Sequence, residues 1–148
     1  QPLRFSHKTH ASEKTGFGCA DCHPIGEDGR FAGIPRIDNC AGCHAEPQGE
    51  TAEEKRLVEE YVTPGREIPW LVYSRQPENV RFPHAIHVKR AKIACERCHG
   101  AHGEGDAPPA HETNRITGYS RDLRKMGDCE SCHAEHQRER TACLACHK

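Results

Sequence analysis

The sequence predicts mostly irregular structure with short α-helices, arranged around bound groups rather than around a core of its own side chains. Only 34% of the 148 residues are apolar, 29% are charged, and the mean hydropathy is -0.87. A conventional core would therefore be thin. All ten cysteines fall into five C-x-x-C pairs, and a histidine follows each pair directly. We expect the groups that these five motifs bind to supply the missing apolar mass.

The C-x-x-C-H motif has the geometry of a covalent haem attachment site. On a helical turn the two sulfurs lie on nearly the same side, so each can form a thioether with one haem vinyl group, and the histidine points at the iron. The predicted thioether residues are Cys19, Cys22, Cys40, Cys43, Cys95, Cys98, Cys129, Cys132, Cys143 and Cys146. The predicted proximal ligands are His23, His44, His99, His133 and His147. The sequence thus predicts five covalently bound haem c groups.

Zinc and disulfide bonds are the two rival explanations of the cysteine pairs. C-x-x-C pairs also build zinc sites, but zinc does not need a histidine at the very next position. Five pairs also cannot be divided evenly into sites of four cysteines. Disulfides across two intervening residues are redox-active rather than structural, and five of them in one small chain have no evident purpose. Haem attachment is therefore favoured over both.

The histidines outside the motifs supply candidates for the distal iron ligands. Two segments have the pattern F-x-H-x-x-H, beginning at Phe5 and Phe82. Residues three apart share one face of a helix, so each histidine pair could reach two neighbouring haems. We expect the distal ligands to be His7, His10, His84 and His87. For the fifth iron the candidates are Met126, the only methionine, and the alternatives His111, His102 and His136; a methionine ligand would raise the reduction potential.

The repeated order of F-x-H-x-x-H followed by C-x-x-C-H divides the chain into two related halves. We predict an N-terminal dihaem module at 1–48, a connecting helix and extended segment at 49–80, and a C-terminal trihaem module at 81–148.

The connecting segment contains the clearest helix signal outside the motifs. A helix is predicted from Thr51 to Val62, because Thr51 and Glu54 have the spacing of a capping box and Leu57, Val58 and Tyr61 share a face. The Pro-Gly pair at 64–65 should end it. The residues from 68 to 73, which include the single tryptophan, are expected to be extended and to cover a haem edge or join the halves.

Charge and hydropathy limit the possible setting. The formal net charge of -1 gives no basic footprint for nucleic acid. The sequence has no apolar run of transmembrane length and no recognisable signal peptide, and it begins with Gln1. Because covalent haem attachment takes place after export, we expect a periplasmic or extracellular protein whose signal has been removed.

The C-terminal half resembles a complete small trihaem cytochrome of class III, the cytochrome c7 type. It runs from Phe82-Pro83-His84 through the motifs that begin at Cys95, Cys129 and Cys143. The resemblance implies that His84 ligates the haem at Cys95 and that His87 ligates the haem at Cys129. The family's third distal histidine stands just before the middle motif, where this chain has Met126. Met126 is therefore the leading candidate for the haem at Cys143.

The layout of two plus three motifs is similar to that of the pentahaem subunit of alternative complex III and related quinol-oxidising membrane complexes. That resemblance implies electron transfer between iron-sulfur or quinol-linked neighbours and a periplasmic acceptor, within a respiratory or photosynthetic complex. We expect a carrier of electrons along closely spaced low-spin haems, not an enzyme. A free periplasmic shuttle and a self-associating haem wire at the cell surface remain open, and the alternative is a multihaem reductase with one open iron site.

Overall fold

The computed structural model describes residues 1–136 and 143–147 as short helices joined by irregular segments. The α-helices are α1 (His7–His10), α2 (Cys19–Cys22), α3 (Ile37–His44), α4 (Ala52–Leu57), α5 (Glu96–His99) and α6 (Met126–Glu135). The π-helical turns are Val58–Val62 and Ala85–Arg90, and the 3-10 turns are His102–Glu104 and Cys143–Ala145. In the described residues β-structure is limited to the isolated bridges Ile25–Ala32, Val80–His147 and Thr113–Ser120. The predicted fold class is confirmed.

The connecting helix forms as predicted, although its second half is wider than an α-helix. The backbone N–H of Glu54 donates to the Thr51 hydroxyl at 3.2 Å, as a cap requires. The Glu54 carboxylate does not complete the capping box; it accepts instead from the backbone N–H of Gln48 at 2.6 Å. Val58 and Tyr61 are buried, and Gly65 at φ 62° follows the helix in the left-handed conformation that glycine tolerates best.

The apolar core lies against this helix and is small. Its buried members are Leu3, Ile37, Tyr61 and Ile68, with Trp70 partly buried against them. The cysteine Cys40 also packs against the cluster, so the core supports the second motif directly. In the described ranges the buried apolar side chains are Leu3, Ile37, Val58, Tyr61 and Ile68. The chain itself therefore supplies little apolar burial.

The two predicted modules contact each other at the start of the second F-x-H-x-x-H segment. The backbone N–H of Ala85 donates to the Gly29 carbonyl at 2.9 Å, and that of His84 donates to the Arg30 carbonyl at 3.4 Å. In a second contact, the backbone N–H of Lys8 donates to the Gly105 carbonyl at 3.1 Å. The loop between the first two motifs therefore rests on the C-terminal half.

The segment after the core follows the C-terminal half as irregular chain rather than as a strand. The Ser74 hydroxyl donates to the Asp122 carbonyl at 2.7 Å, and the backbone N–H of Arg81 donates to the Cys146 carbonyl at 2.7 Å. None of the helices in the described ranges is long and apolar enough to cross a membrane.

Candidate haem sites

Four of the five motif histidines face a second histidine across a gap of nearly constant width. The distances between ring centroids are 6.4 Å for His7 and His23, 6.1 Å for His10 and His44, 6.3 Å for His84 and His99, and 6.2 Å for His87 and His133. The rings of the third pair are almost parallel, with 4° between their planes. Each pair joins a histidine of an F-x-H-x-x-H segment to a motif histidine.

This gap is the width that one metal ion between two imidazoles requires. A transition metal binds an imidazole nitrogen at about 2.0–2.1 Å. In a ring with C–N bonds of about 1.33 Å, each nitrogen lies roughly 1.1 Å from the centroid. Two such arms span about 6.3 Å, which matches the observed separations of 6.1–6.4 Å. The donor sets therefore fit a haem iron with a histidine on each side.

The two F-x-H-x-x-H segments repeat the same ring geometry. Phe5 stacks on His10 at 4.3 Å between centroids and meets His7 edge-on at 5.0 Å. Phe82 stacks on its second histidine, His87, at the same 4.3 Å and meets the first one edge-on at 5.0 Å. Edge-to-face and offset-stacked contacts are the favoured arrangements of aromatic rings. The phenylalanine thus fixes both imidazoles at different angles, which suits two separate iron ions.

Backbone carbonyls fix the orientation of several of these imidazoles. Nδ1 donates to the Ser6 carbonyl in His10 and to the Pro83 carbonyl in His87, both at 2.9 Å. In His23 the acceptor is the carbonyl of Gly33, at 2.7 Å. A carbonyl oxygen can only accept, so Nδ1 carries the proton and Nε2 keeps a free lone pair for a metal.

The electrostatic environment favours the neutral imidazoles that metal ligation requires. Burial, followed by the neighbouring His23, lowers the pKa of His7. Burial, followed by the neighbouring His84, lowers the pKa of His99. Both histidines are therefore held in the neutral form at pH 7.

The second site includes a carboxylate that the sequence analysis did not assign to it. Nδ1 of His44 lies 2.9 Å from Oε1 of Glu54, although the two groups are not aligned as a hydrogen bond. Both side chains are mostly buried, with 18% of His44 and 13% of Glu54 exposed. A carboxylate behind a ligating histidine raises its basicity. The helix signal at Glu54 was readable, but its contact with His44 depends on how α4 packs on α3.

The effect of one thiol on the pKa of another indicates which attachment motifs are neighbours. Burial, followed by the nearby thiol of Cys22, raises the pKa of Cys40. In the same way burial and then Cys95 raise the pKa of Cys19. The pKa of Cys129 is raised by burial, then by Cys146, and also by the thiol of the third motif. Named by their first cysteines, the motifs lie in the order Cys40, Cys19, Cys95, Cys129, Cys143.

The fifth motif differs from the other four. Within the described ranges His147 has no imidazole facing it across such a gap, and it pairs through its backbone with Val80. Met126 begins α6 with 62% of its surface exposed. His136 caps the other end of the same helix.

The two remaining candidates lie elsewhere. His111 donates through Nδ1 to the Val72 carbonyl at 2.9 Å, at the opposite end of segment 72–80 from His147. His102 meets Tyr73 edge-on at 5.1 Å between centroids, and its Nε2 is buried without a hydrogen-bond partner in the described chain. In the described part of the chain, neither imidazole forms a ring contact with His147.

Comparison with known proteins gives two family matches that together cover nearly the whole chain. The model described as "Cytochrome c3" matches residues 7–109, and the model described as "Cytochrome c7 and related cytochrome c" matches residues 80–148.

Two characterised relatives are similar along most of the chain. The menaquinone reductase multiheme cytochrome c subunit of Nitratidesulfovibrio vulgaris is 42% identical over 162 aligned positions, covering 100% of this chain and 77% of the relative. The cytochrome c-type protein NrfB of Escherichia coli is 25% identical over 134 positions, covering 80% of this chain and 65% of the relative.

Proposed function

Because the chain belongs to the cytochrome c3 and c7 family of multihaem c-type cytochromes, we propose that it transfers electrons along five covalently bound haem c groups. The observation that carries the proposal is the set of four imidazole pairs with centroids 6.1–6.4 Å apart. A protein iron ligand on each side leaves no coordination position for a substrate, so such sites favour electron transfer over catalysis.

In this proposal each residue type has a separate task. The thioether residues are Cys19, Cys22, Cys40, Cys43, Cys95, Cys98, Cys129, Cys132, Cys143 and Cys146, and the proximal ligands are His23, His44, His99, His133 and His147. The distal ligands are His7, His10, His84, His87 and, for the fifth iron, Met126. Haem, when bound, supplies an iron that gains and loses one electron. The chain orients several of these imidazoles through backbone carbonyls and brings each histidine pair together.

The contacts between motifs suggest the route of the electrons. The neighbouring thiols support the order Cys40, Cys19, Cys95, Cys129, Cys143. Electrons would enter at one terminal haem and leave at the other, and the second and fifth motifs are those two ends. Each end can then serve a different redox partner.

We propose a periplasmic setting, in which the chain is a subunit that connects a redox donor with a membrane complex. The resemblance described above implies a quinol-oxidising complex, whereas the name of the N. vulgaris relative describes reduction of menaquinone. We adopt the direction in that name, so this chain would pass electrons towards a quinone. Mixing the reduced protein with the organism's membranes and a menaquinone analogue tests this, since oxidation of the haems should require the analogue.

The haem count and the spin state test the electron-transfer proposal itself. The purified protein should contain five haems per chain, and its electron paramagnetic resonance spectrum should be low-spin throughout. Fewer than five attached haems would contradict the assignment of the motifs. A high-spin signal from one haem in five would instead favour the second candidate function, a reductase with an open iron site. The observation behind this candidate is that, in the described ranges, no imidazole faces His147.

The role of Met126 has its own test. Replacing the thioether with a stronger imidazole donor stabilises the ferric iron, so Met126→His should lower the reduction potential of one haem and leave the other four nearly unchanged. Spectroelectrochemical titration measures this. If no haem shifts, Met126 is not a ligand.

A further inference from the structure

A cavity beside the fifth motif is lined by cations from distant parts of the sequence. Its volume is about 450 Å³, and its lining residues are Arg30, Arg81, Leu144 and His147. Binding sites for small molecules and cofactors commonly have about 300–1,000 Å³. The hydrogen bond from the backbone of Arg81 to the Cys146 carbonyl holds that arginine against the motif.

Arg30 lines this cavity and is partly buried beside it. Its Nε atom is buried and has no hydrogen-bond partner in the part of the chain that the structure describes. Buried donors of charged groups normally meet an acceptor. The guanidinium carbon lies 5.5 Å from the centroid of the Phe31 ring, which limits how far the side chain can move.

The backbone of the same residue belongs to a different haem site. The Arg30 carbonyl accepts a hydrogen bond from Nδ1 of His84 at 2.5 Å. His84 faces His99 at the third motif. One residue of the loop between the first two motifs therefore touches both the third and the fifth sites of the other half.

We propose that Arg30 and Arg81 bind the propionate carboxylates of the haem attached at Cys143 and Cys146. The inference rests on the proposed function, because it needs a haem at the fifth motif. Guanidinium groups pair with carboxylates through two parallel hydrogen bonds, and both arginines line the cavity from outside the attachment motif. No acidic side chain of the described residues lines this cavity to compete for them.

The consequence is a raised reduction potential at the fifth haem. Reduction adds one negative charge, and cations paired with its carboxylates stabilise the reduced form. Because Arg30 comes from the N-terminal half, the C-terminal trihaem segment does not contain its complete fifth site. Arg30 also supports the distal ligand of the third haem through its carbonyl, so it physically joins these two sites.

Single substitutions in the full holoprotein test the proposal through individual haem potentials. Arg30→Gln and Arg81→Gln should each lower the reduction equilibrium constant of the same haem by three- to tenfold, which is about 28–59 mV at 59 mV per decade. Arg30→Lys keeps the charge and should restore most of the shift. The control is Arg36→Gln, because that guanidinium is 76% exposed and paired with Glu67.

Several outcomes would overturn the proposal. These are shifts in two different haems, shifts no larger than that of Arg36→Gln, or an Arg30→Lys potential as low as that of Arg30→Gln. A shift on adding inorganic phosphate to the unmodified protein, absent in Arg81→Gln, would show that the arginines bind a solvent anion instead.

Loss of a haem is also informative. A variant that loads only four haems supports the proposal if the unmodified thiols map to Cys143 and Cys146, and it overturns the proposal if they map to another motif. Failure of the proposed function is separate, because it would already appear in the unmodified protein as fewer than five haems.

Discussion

Replacing Glu54 with glutamine should raise the reduction potential of one haem, the one attached at Cys40 and Cys43. The carboxylate lies 2.9 Å from Nδ1 of His44. Its negative charge stabilises the ferric iron relative to the ferrous iron, both directly and through a more basic imidazole. Glutamine has nearly the same shape and can still accept from the backbone N–H of Gln48, so the change removes charge with little loss of structure.

The size of the shift follows from the path between carboxylate and iron. The distance from the Glu54 carboxylate to the iron is roughly 7 Å. It is the sum of the 2.9 Å contact with Nδ1, about 2.2 Å from Nδ1 to Nε2 across the imidazole, and about 2.0 Å from Nε2 to the metal. At an effective dielectric constant of about 20, one charge at that distance is worth about 2.4 kcal/mol. With about 2.3 kcal/mol per 100 mV, the limit is about 100 mV. Because 13% of the Glu54 side chain is exposed to solvent and salt, we expect about 50–100 mV.

Spectroelectrochemical titration at pH 7 measures the effect. The matched control is Glu59→Gln, which removes the same charge from an exposed position on the following π-helical turn. One of the five redox steps should rise in Glu54→Gln and stay close to its original value in the control. If the two variants have the same potentials, the carboxylate is not coupled to an iron through His44, and the reasoning is wrong.

Two further predictions concern ligation and stability. His84→Ala should convert one haem in five to a high-spin form seen by electron paramagnetic resonance, whereas His111→Ala should leave the spectrum low-spin, because His111 donates to Val72 and faces no motif histidine in the described chain. Ile37→Ala should lower the free energy of unfolding in urea by about 2–5 kcal/mol, because this side chain is 5% exposed at the start of α3, while Ile116→Ala, at 95% exposed, should change it by less than about 0.5 kcal/mol.

The attachment motifs were readable from the sequence because the chemistry needs their residues to be adjacent. The same holds for F-x-H-x-x-H, in which one helical turn brings the phenylalanine against both histidines. The connecting helix from Thr51 was also predictable, because capping, apolar spacing and the Pro-Gly stop all act within a few residues. Where the physical cause is local, the pattern was sufficient.

The contacts that complete the sites were not predictable in this way. His10 faces His44 across an irregular loop, and Glu54 reaches the same site from a different helix. Arg30 meets His84, which is 54 positions away, through a backbone carbonyl that any residue could provide. No residue type or spacing marks such a contact, because it depends on the path of chain segments that have no periodic pattern.

The spatial order of the motifs also departs from their order in the sequence, and the loop between the first two explains how. That loop turns back on itself through the bridge between Ile25 and Ala32, and it brings α3 and the second motif beside the small core. The first motif is then left next to Cys95, the first cysteine of the other half. Each half therefore contributes its own first motif to the junction.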